Sequence, residues 1–345
     1  MKKALKWIGL LLLLFIVLPG TYYAIDLYRS MDKLNDREGN SPLSEFYEAM
    51  PTEKRNEYTP PKWEGKQRVN ILLLGVDSRG VKSKEIPRSD SNMVVSIDPA
   101  TKKAHLFSIL RDTYVNIPGH GKDRFNAAVA IGGPNLAMKT ASDLLGLQVQ
   151  YYVYTDFQGF IKVVDAVGGV EIDVEKNMKY ISKADGPEYS IDLKKGLQRL
   201  NGHQALQYVR FRHDALSDYA RTERQRKFLT ALANELQTTS SVLKLPRIIR
   251  DIDPYIDTNL TVNDMIKLGM LGMEARSNGI VGEQIPPSHL LQERTIGGAS
   301  VLTVDPKALQ KHVQDLFAAA GASPSPSGSA PPSSSPTPRP TAKAR

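Results

Sequence analysis

The sequence predicts an α/β fold, a mixed sheet flanked by helices, and three observations carry that expectation. Apolar runs of strand length recur from residue 69 onward, segments with helical spacing alternate with them, and Gly, Asp and Pro mark the changeovers. The 345-residue chain is 41% hydrophobic, ample for a buried core of that size.

The elements follow in chain order. Lys2, Lys3 and Lys6 precede residues 7–25, an apolar stretch of nineteen residues without a charge, close to the roughly 20 that span a bilayer. A cleaved signal peptide is the competing reading, but "PGTYY" at residues 19–23 has no small-residue cleavage pattern, so the stretch reads as a retained anchor. The lysines ahead of it and the balanced Asp26, Arg29, Asp32 and Lys33 behind it put residues 1–6 in the cytoplasm and the body outside. Residues 26–67 are polar, with Pro51, Pro60 and Pro61, and read as a stalk. "VNILLLG" (69–75) is a buried strand, and "MVVSID" and "AHLFSIL" make a hairpin across residues 98–101. Residues 136–145 form a helix stopped by Gly146, "VQYYVYT" is a strand, and Asp156 caps a helix through Ala166 that ends at Gly168 and Gly169. "VEIDV" is a further short strand, and the body, residues 68–240, closes on a last helix. Residues 241–320 keep globular composition, with Leu268, Leu271 and Ala275 at helical spacing and a strand at "SVLTVD", and read as an extension packed on the body. Residues 321–345, rich in Ser, Pro and Ala, cannot bury enough apolar area to offset chain entropy and read as a disordered tail.

Charge and composition exclude several functions. Removing the three N-terminal lysines and Arg339, Lys343 and Arg345 of the tail from the net +8 leaves only +2 for everything between. Such a body lacks the basic face that a nucleic-acid partner needs, and an anchored body outside the cytoplasm does not meet a chromosome. The absence of cysteine excludes disulfides, thiolate metal sites and a cysteine nucleophile. The six histidines show no H-E-x-x-H spacing. Ser241 and Lys244 match S-x-x-K, yet no K-T-G box accompanies them, which argues against a serine acyltransferase.

Three segments gather groups suited to an anion. After the first strand, Asp77, Arg79, Arg88 and Asp90 fall where chain leaves and enters a sheet, the place where open α/β sheets bind ligands. Two carboxylates and two arginines there either hold a divalent cation against phosphate oxygens or form a polar loop with surface ion pairs. Arg111 and Asp112 follow "SIL", with Lys122 and Arg124 nearby, as a second anion cradle or a loop ion pair. In "YVRFRHDALSDYARTERQRKF", an extended Arg210-Phe211-Arg212 places both arginines on one face. Asp218 then caps a helix on which Arg221, Arg224 and Gln225 share a face, either around an anion or on a solvated surface with Asp218 and Glu223 as counter-charges.

Taken in order, "LLLGVDSR", "RSD", "SILRD", "DRFNAA", "DFQGFIKVVDAVGGV", "LNGHQALQYVRFRHD" and "DYARTERQR" resemble the LytR-CpsA-Psr family of Gram-positive cell-envelope proteins, over about residues 71–228. The resemblance implies a three-layer α/β/α body with a long apolar cleft for a polyprenyl chain. It implies transfer of an anionic glycopolymer, such as a teichoic acid, from an undecaprenyl pyrophosphate carrier to peptidoglycan at the cytoplasmic membrane. By motif position, Asp77 and Asp90 would hold Mg²⁺, with Mn²⁺ as the alternative. Arg79, Arg88, Arg111, Arg210, Arg212, Arg221 and Gln225 would meet pyrophosphate oxygens, and Asp77 and Arg111 would be catalytic. Leu110, Arg124 and Ala220 stand where the family more often has Pro, Lys and Gly, which alters loop geometry but no implied ligand. The other function consistent with the same pocket is a polyprenyl-phosphate-binding regulator without transfer activity.

Overall fold

The computed structural model describes residues 2–35, 41–50, 58–79, 85–181, 186, 189–212 and 217–321. Its helices are α1 (Lys2–Asn35), α2 (Ser44–Ala49), α3 (Ala127–Leu145), α4 (Phe157–Ala166), α5 (Gly202–Arg210), α6 (Ser217–Leu236), α7 (Thr239–Ile252), α8 (Val262–Ala275) and α9 (Pro306–Gly321). The strands are β1 (Val69–Val76), β2 (Ser89–Asp98), β3 (Lys103–Ile109), β4 (Tyr114–Ile117), β5 (Gly121–Arg124), β6 (Tyr151–Asp156) and β7 (Val170–Val174). They continue with β8 (Met178–Tyr180), β9 (Ile191–Leu193), β10 (Gly196–Leu200), β11 (Ile256–Thr258), β12 (Ile280–Ile285), β13 (Gln292–Ile296) and β14 (Ala299–Thr303).

Six strands make the central sheet in the order β11-β6-β1-β2-β3-β12. β6 runs parallel to β1 and β12 parallel to β3, while the other neighbours are antiparallel, so the sheet is mixed, as the sequence predicts. The run "VNILLLG" sits at its centre because both of its faces are covered. Leu72, Leu74 and Val76 point to one side, where α3 and α9 pack with Ala137, Met138, Ala141, Leu309 and Val313. On the other side Val69, Ala104 and Tyr151 meet Leu271 and Ala275 of α8. The rest of that side lies under α6, and α4 and α5 join α6 in a second core built from Ile161, Leu206, Tyr208 and Phe228.

Local rules account for the elements. The β2–β3 turn is closed by Asp98, whose side chain accepts from the Ala100 amide at 2.9 Å. Asp156 accepts from the Gly159 amide at 2.9 Å and caps α4. Gly146 ends α3 at φ +67°. That helix starts at Ala127, well ahead of the expected residue 136, because a kink at Gly132 and Gly133 joins two helical pieces and Pro134 opens the second.

Three features go beyond what the sequence predicts. β7 lies outside the central sheet and pairs with β10 in a two-stranded ribbon, and its alternating burial is that of a strand with one covered face. Residues 241–320 supply both edge strands, β11 and β12, together with the α9 side of the main core, so the sheet is incomplete without them. The described parts of the stalk are sewn onto the body. α1 runs on to Asn35, Leu43 and Trp63 are buried, and Ser41 donates to Asp257, a buried carboxylate of β11 that also accepts from Tyr152. Among the described residues no helix is long and apolar enough to cross a membrane. The side chains of residues 7–14 and 16, much of the expected anchor, fall outside the described ones, as does the tail beyond residue 321.

Candidate functional site

The parallel strands β1 and β6 end side by side, with Val76 opposite Asp156, and the chain leaves there through Asp77 and Arg79. A cavity of about 780 Å³ opens at these carboxyl ends. Asp77, Asp90, Arg210, Arg212, Arg221 and Gln225 all line it. Further in, the wall turns apolar, with Phe160 of α4, Leu206 of α5, and Ile248 and Ile252 of α7. One helix runs from the polar part into the apolar part. Arg221, Gln225, Phe228, Leu232 and Leu236 of α6 all face the cavity at near-turn spacing, a stripe about 22 Å long at 1.5 Å per residue.

The polar end is a dense charge network. Arg111 donates to Asp90 at 2.6 Å and stands 3.4 Å from both Asp112 and Asp218. Asp218, expected as a helix cap, is instead a shared counter-charge, 2.8 Å from Arg212 and 3.4 Å from Arg221. Asp218 is thus shared by three guanidiniums, of which Arg111 also has Asp90 and Asp112 while Arg212 and Arg221 rely on Asp218. Arg221 is only 4% exposed, and its Nε has no hydrogen-bond partner among the described residues. Burial pulls its pKa down to about 10, with Arg212 and Arg111 adding to the effect and Asp218 opposing it. For Arg111, burial also works against the charge, but the hydrogen bond and charge of Asp90, with Asp218 and Asp112, outweigh it and raise the pKa. A buried guanidinium with an unsatisfied donor, next to Arg210 and Arg212 on the cavity wall, is an arrangement that could hold an anion.

Two further arginines are held by aromatic rings. Arg79 grips Asp77 through Nε (2.7 Å) and Nη2 (2.5 Å), and its guanidinium lies 4.0 Å from the Tyr189 ring centre and 5.3 Å from that of Phe157. Arg210 lies over the same pair, 4.8 Å from Phe157 and 5.3 Å from Tyr189. Neither aromatic stands out in the sequence, although Phe157 directly follows the Asp156 cap and is the one a signal could reach. Nor does any motif mark Ile248, Ile252 and Ile256, which also line the cavity.

The third motif folds differently from its expected form. Arg210 ends the helix α5, opened by a capping box in which Asn201 and Gln204 bond each other's amides, so Arg210-Phe211-Arg212 is a helix end rather than a strand. Both arginines still reach the cavity, while Phe211 enters the core. Arg224 leaves the face it was expected to share with Arg221. It is buried against α5, donating to Glu175 at 2.9 Å and to the Phe211 carbonyl at 2.6 Å, and so pins the turn between Arg210 and Arg212. Gln225 stays in the cavity, accepting from Ser91 at 3.3 Å. Arg79 and Arg111 are not part of the lining, although their partners Asp77 and Asp90 are. Arg88 is outside it too. It is half exposed and stands 3.7 Å from Asp123. Asp214 lies outside the described residues.

The LytR_cpsA_psr family model matches residues 34–318. The chain belongs to the LytR-CpsA-Psr family. It is 40% identical over 228 residues to the "Regulatory protein MsrR" of Staphylococcus aureus, covering 65% of this chain and 64% of that one. The chain thus spans just under two thirds of the length of those relatives. It is 31% identical over 312 residues to the "Polyisoprenyl-teichoic acid--peptidoglycan teichoic acid transferase TagU" of Enterococcus faecalis, covering 89% and 94% of the two chains. Among solved structures, "TagT bound to LIIa-WTA" superposes with TM-score 0.62 at 29% identity, over 78% of this chain and 98% of the other. A TagT structure with bound octaprenyl pyrophosphate gives 0.58 at 29% identity, over the same shares.

Proposed function

We propose that this LytR-CpsA-Psr protein is a membrane-anchored transferase that moves an anionic, teichoic acid-like glycopolymer from an undecaprenyl pyrophosphate carrier onto peptidoglycan. One observation carries the reading: a single cavity passes from an arginine cluster with a buried, unsatisfied donor to an apolar wall along one 22 Å helical stripe, roughly the shape of a phosphorylated polyprenyl chain. The names of the TagU relative and the lipid-bound TagT structure support it. The lysines ahead of the apolar stretch at residues 7–25 support an anchor with the body outside the cytoplasm.

In this reading the acceptor hydroxyl of a peptidoglycan sugar attacks the phosphorus next to the polymer's first sugar. A P–O bond forms, the P–O bond to the carrier phosphate breaks, and undecaprenyl phosphate leaves. Arg111, Arg210, Arg212 and Arg221 take up the charge on the phosphate oxygens, which is the main contribution a protein makes to such a transfer. Arg79, pinned over Phe157 and Tyr189, orients Asp77, which accepts the hydroxyl proton.

The donor set fits Mg²⁺. Asp77 and Asp90 bring two carboxylates to the same mouth, and no group of three acidic or histidine ligands exists among the described residues. Mg²⁺ is ordinarily held by one or two carboxylates and completed by substrate phosphates, and Mn²⁺ accepts the same oxygens. When bound, the ion would neutralise phosphate charge.

The test is transfer of labelled polymer from a polyprenyl pyrophosphate donor to peptidoglycan by the purified chain with Mg²⁺. No transfer, or full transfer by Asp77→Asn, defeats the proposal. The name of the MsrR relative favours a second reading, a regulator that binds the lipid without turnover. Cells whose only copy is Asp77→Asn separate the two, since a regulator keeps its function.

A further inference from the structure

α1 is not a loose tether. Tyr23 donates to the Val242 carbonyl, and Arg250 donates to Asp26 at 2.7 Å and to Ser30 at 3.2 Å, with Ser30 buried in the contact. Residues 23–30 of α1 therefore run alongside residues 242–250 of α7 in the same direction. If residues 7–25 lie in the bilayer, Tyr23 sits at its outer boundary, and the start of α7 is fixed at that depth.

The side chains at this place are those of a membrane interface. Leu243, next to the bonded Val242, is 67% exposed, and Tyr22 and Ile25 of α1 are 74% and 52% exposed. Lys244 is exposed beside them. An apolar residue in the open, tyrosines and a lysine able to extend toward water are what a protein presents to the boundary between acyl chains and headgroups.

The apolar end of the cavity is near this place along the chain, since Ile248 of the same helix α7 lines it. Leu236, the last member of the α6 stripe, is six residues from Val242, at most about 20 Å along even a straight chain. Arg221 is at the other end of that stripe.

We propose that the α6–α7 corner, with Leu243, Lys244, Tyr22 and Ile25, is a docking surface for the phospholipid bilayer. It sets the apolar end of the cavity against lipid and holds the arginine cluster off the membrane. A polyprenyl carrier then enters with its tail end still in the bilayer and its pyrophosphate raised toward the wall. This inference rests on the anchor reading, and the experiment tests the two separately.

The chain has no cysteine, so single ones can carry an environment-sensitive dye at Phe15→Cys, Leu243→Cys and Lys194→Cys in the full chain, reconstituted in phosphatidylcholine–phosphatidylglycerol vesicles. The expected result is blue-shifted emission, protected from iodide and quenched by spin-labelled lipid, at residues 15 and 243, and iodide quenching at residue 194. A dye at residue 243 that iodide quenches while residue 15 remains protected overturns the docking surface and leaves the anchor standing. Iodide quenching at residue 15 removes the anchor and the docking surface together.

Discussion

Replacing Arg221 with Met separates what the site does for the ligand from what it costs the fold. The gap between an ordinary arginine and the value of about 10 that burial imposes amounts to about 3 kcal/mol, a penalty that the ligand-free protein carries at neutral pH. Arg221→Met removes it, and Asp218 keeps Arg212 at 2.8 Å and Arg111 at 3.4 Å, so no carboxylate is left alone. The ligand-free variant should be more stable by about 1–3 kcal/mol, or roughly 2–8 °C in melting temperature for a body of this size. The sign with pH follows. The folded state binds its Arg221 proton less tightly than the unfolded one, so the gain is constant below about pH 10 and shrinks above it, where the folded wild type sheds the proton. Affinity moves the other way. Losing a charge-assisted bond worth about 1.5–3 kcal/mol should weaken inorganic pyrophosphate binding roughly 10- to 150-fold. Calorimetric melting with and without pyrophosphate reads both effects. A ligand-free variant that melts lower, or one that binds pyrophosphate as wild type does, refutes the reasoning.

Other outcomes follow from single contacts. Arg224→Ala should lose about 2–3 kcal/mol of stability by removing the two buried donations to Glu175 and the Phe211 carbonyl, measurable by urea unfolding. Leu232→Trp, which adds bulk to the apolar wall, should cut polyprenyl phosphate binding at least about 10-fold and leave pyrophosphate binding unchanged, and an equal loss of both would contradict a two-ended cavity. Burial, with Arg68 and Lys103 adding, lowers His105 to about 4, so its neutral form is the one the fold accepts. The unfolded chain therefore takes up the extra proton, and stability should fall by up to about 1.4 kcal/mol per pH unit from about pH 6.5 down to 4. His105→Leu should flatten that limb of an unfolding-versus-pH curve.

The sequence was legible where one residue decides a local conformation or where both faces of an element are apolar. "VNILLLG", the Asp156 cap and the Gly146 stop belong there, because each is settled within a few residues of chain. It was least legible where a distant partner decides. Ile256–Thr258 is three residues long and Ile280–Ile285 carries Gly, Glu and Gln, so neither reads as a strand until β6 and β3 offer their edges. In the site, the helical period is enough to put Arg221 and Gln225 on one face. Arg224, one residue from Gln225, turned inward because Glu175 and the Phe211 carbonyl wait on that side, which no spacing rule contains. Arg210 and Arg212 both reach the cavity, but from a helix end where the sequence predicts an extended strand.

The sheet's two edges also set the order of events in folding. β12 lies against β3 with Ile280 opposite Ala104, and β11 lies against β6 with Thr258 opposite Val153. Neither pairing can form until most of the chain is available, and each closes a very long loop. β3 and β6 thus spend the early life of the molecule as open edges, ready to accept any extended segment that arrives first. A chain cut short between residues 226 and 279 would keep every charged residue of the cavity mouth and yet remain an unfinished, self-adhesive sheet.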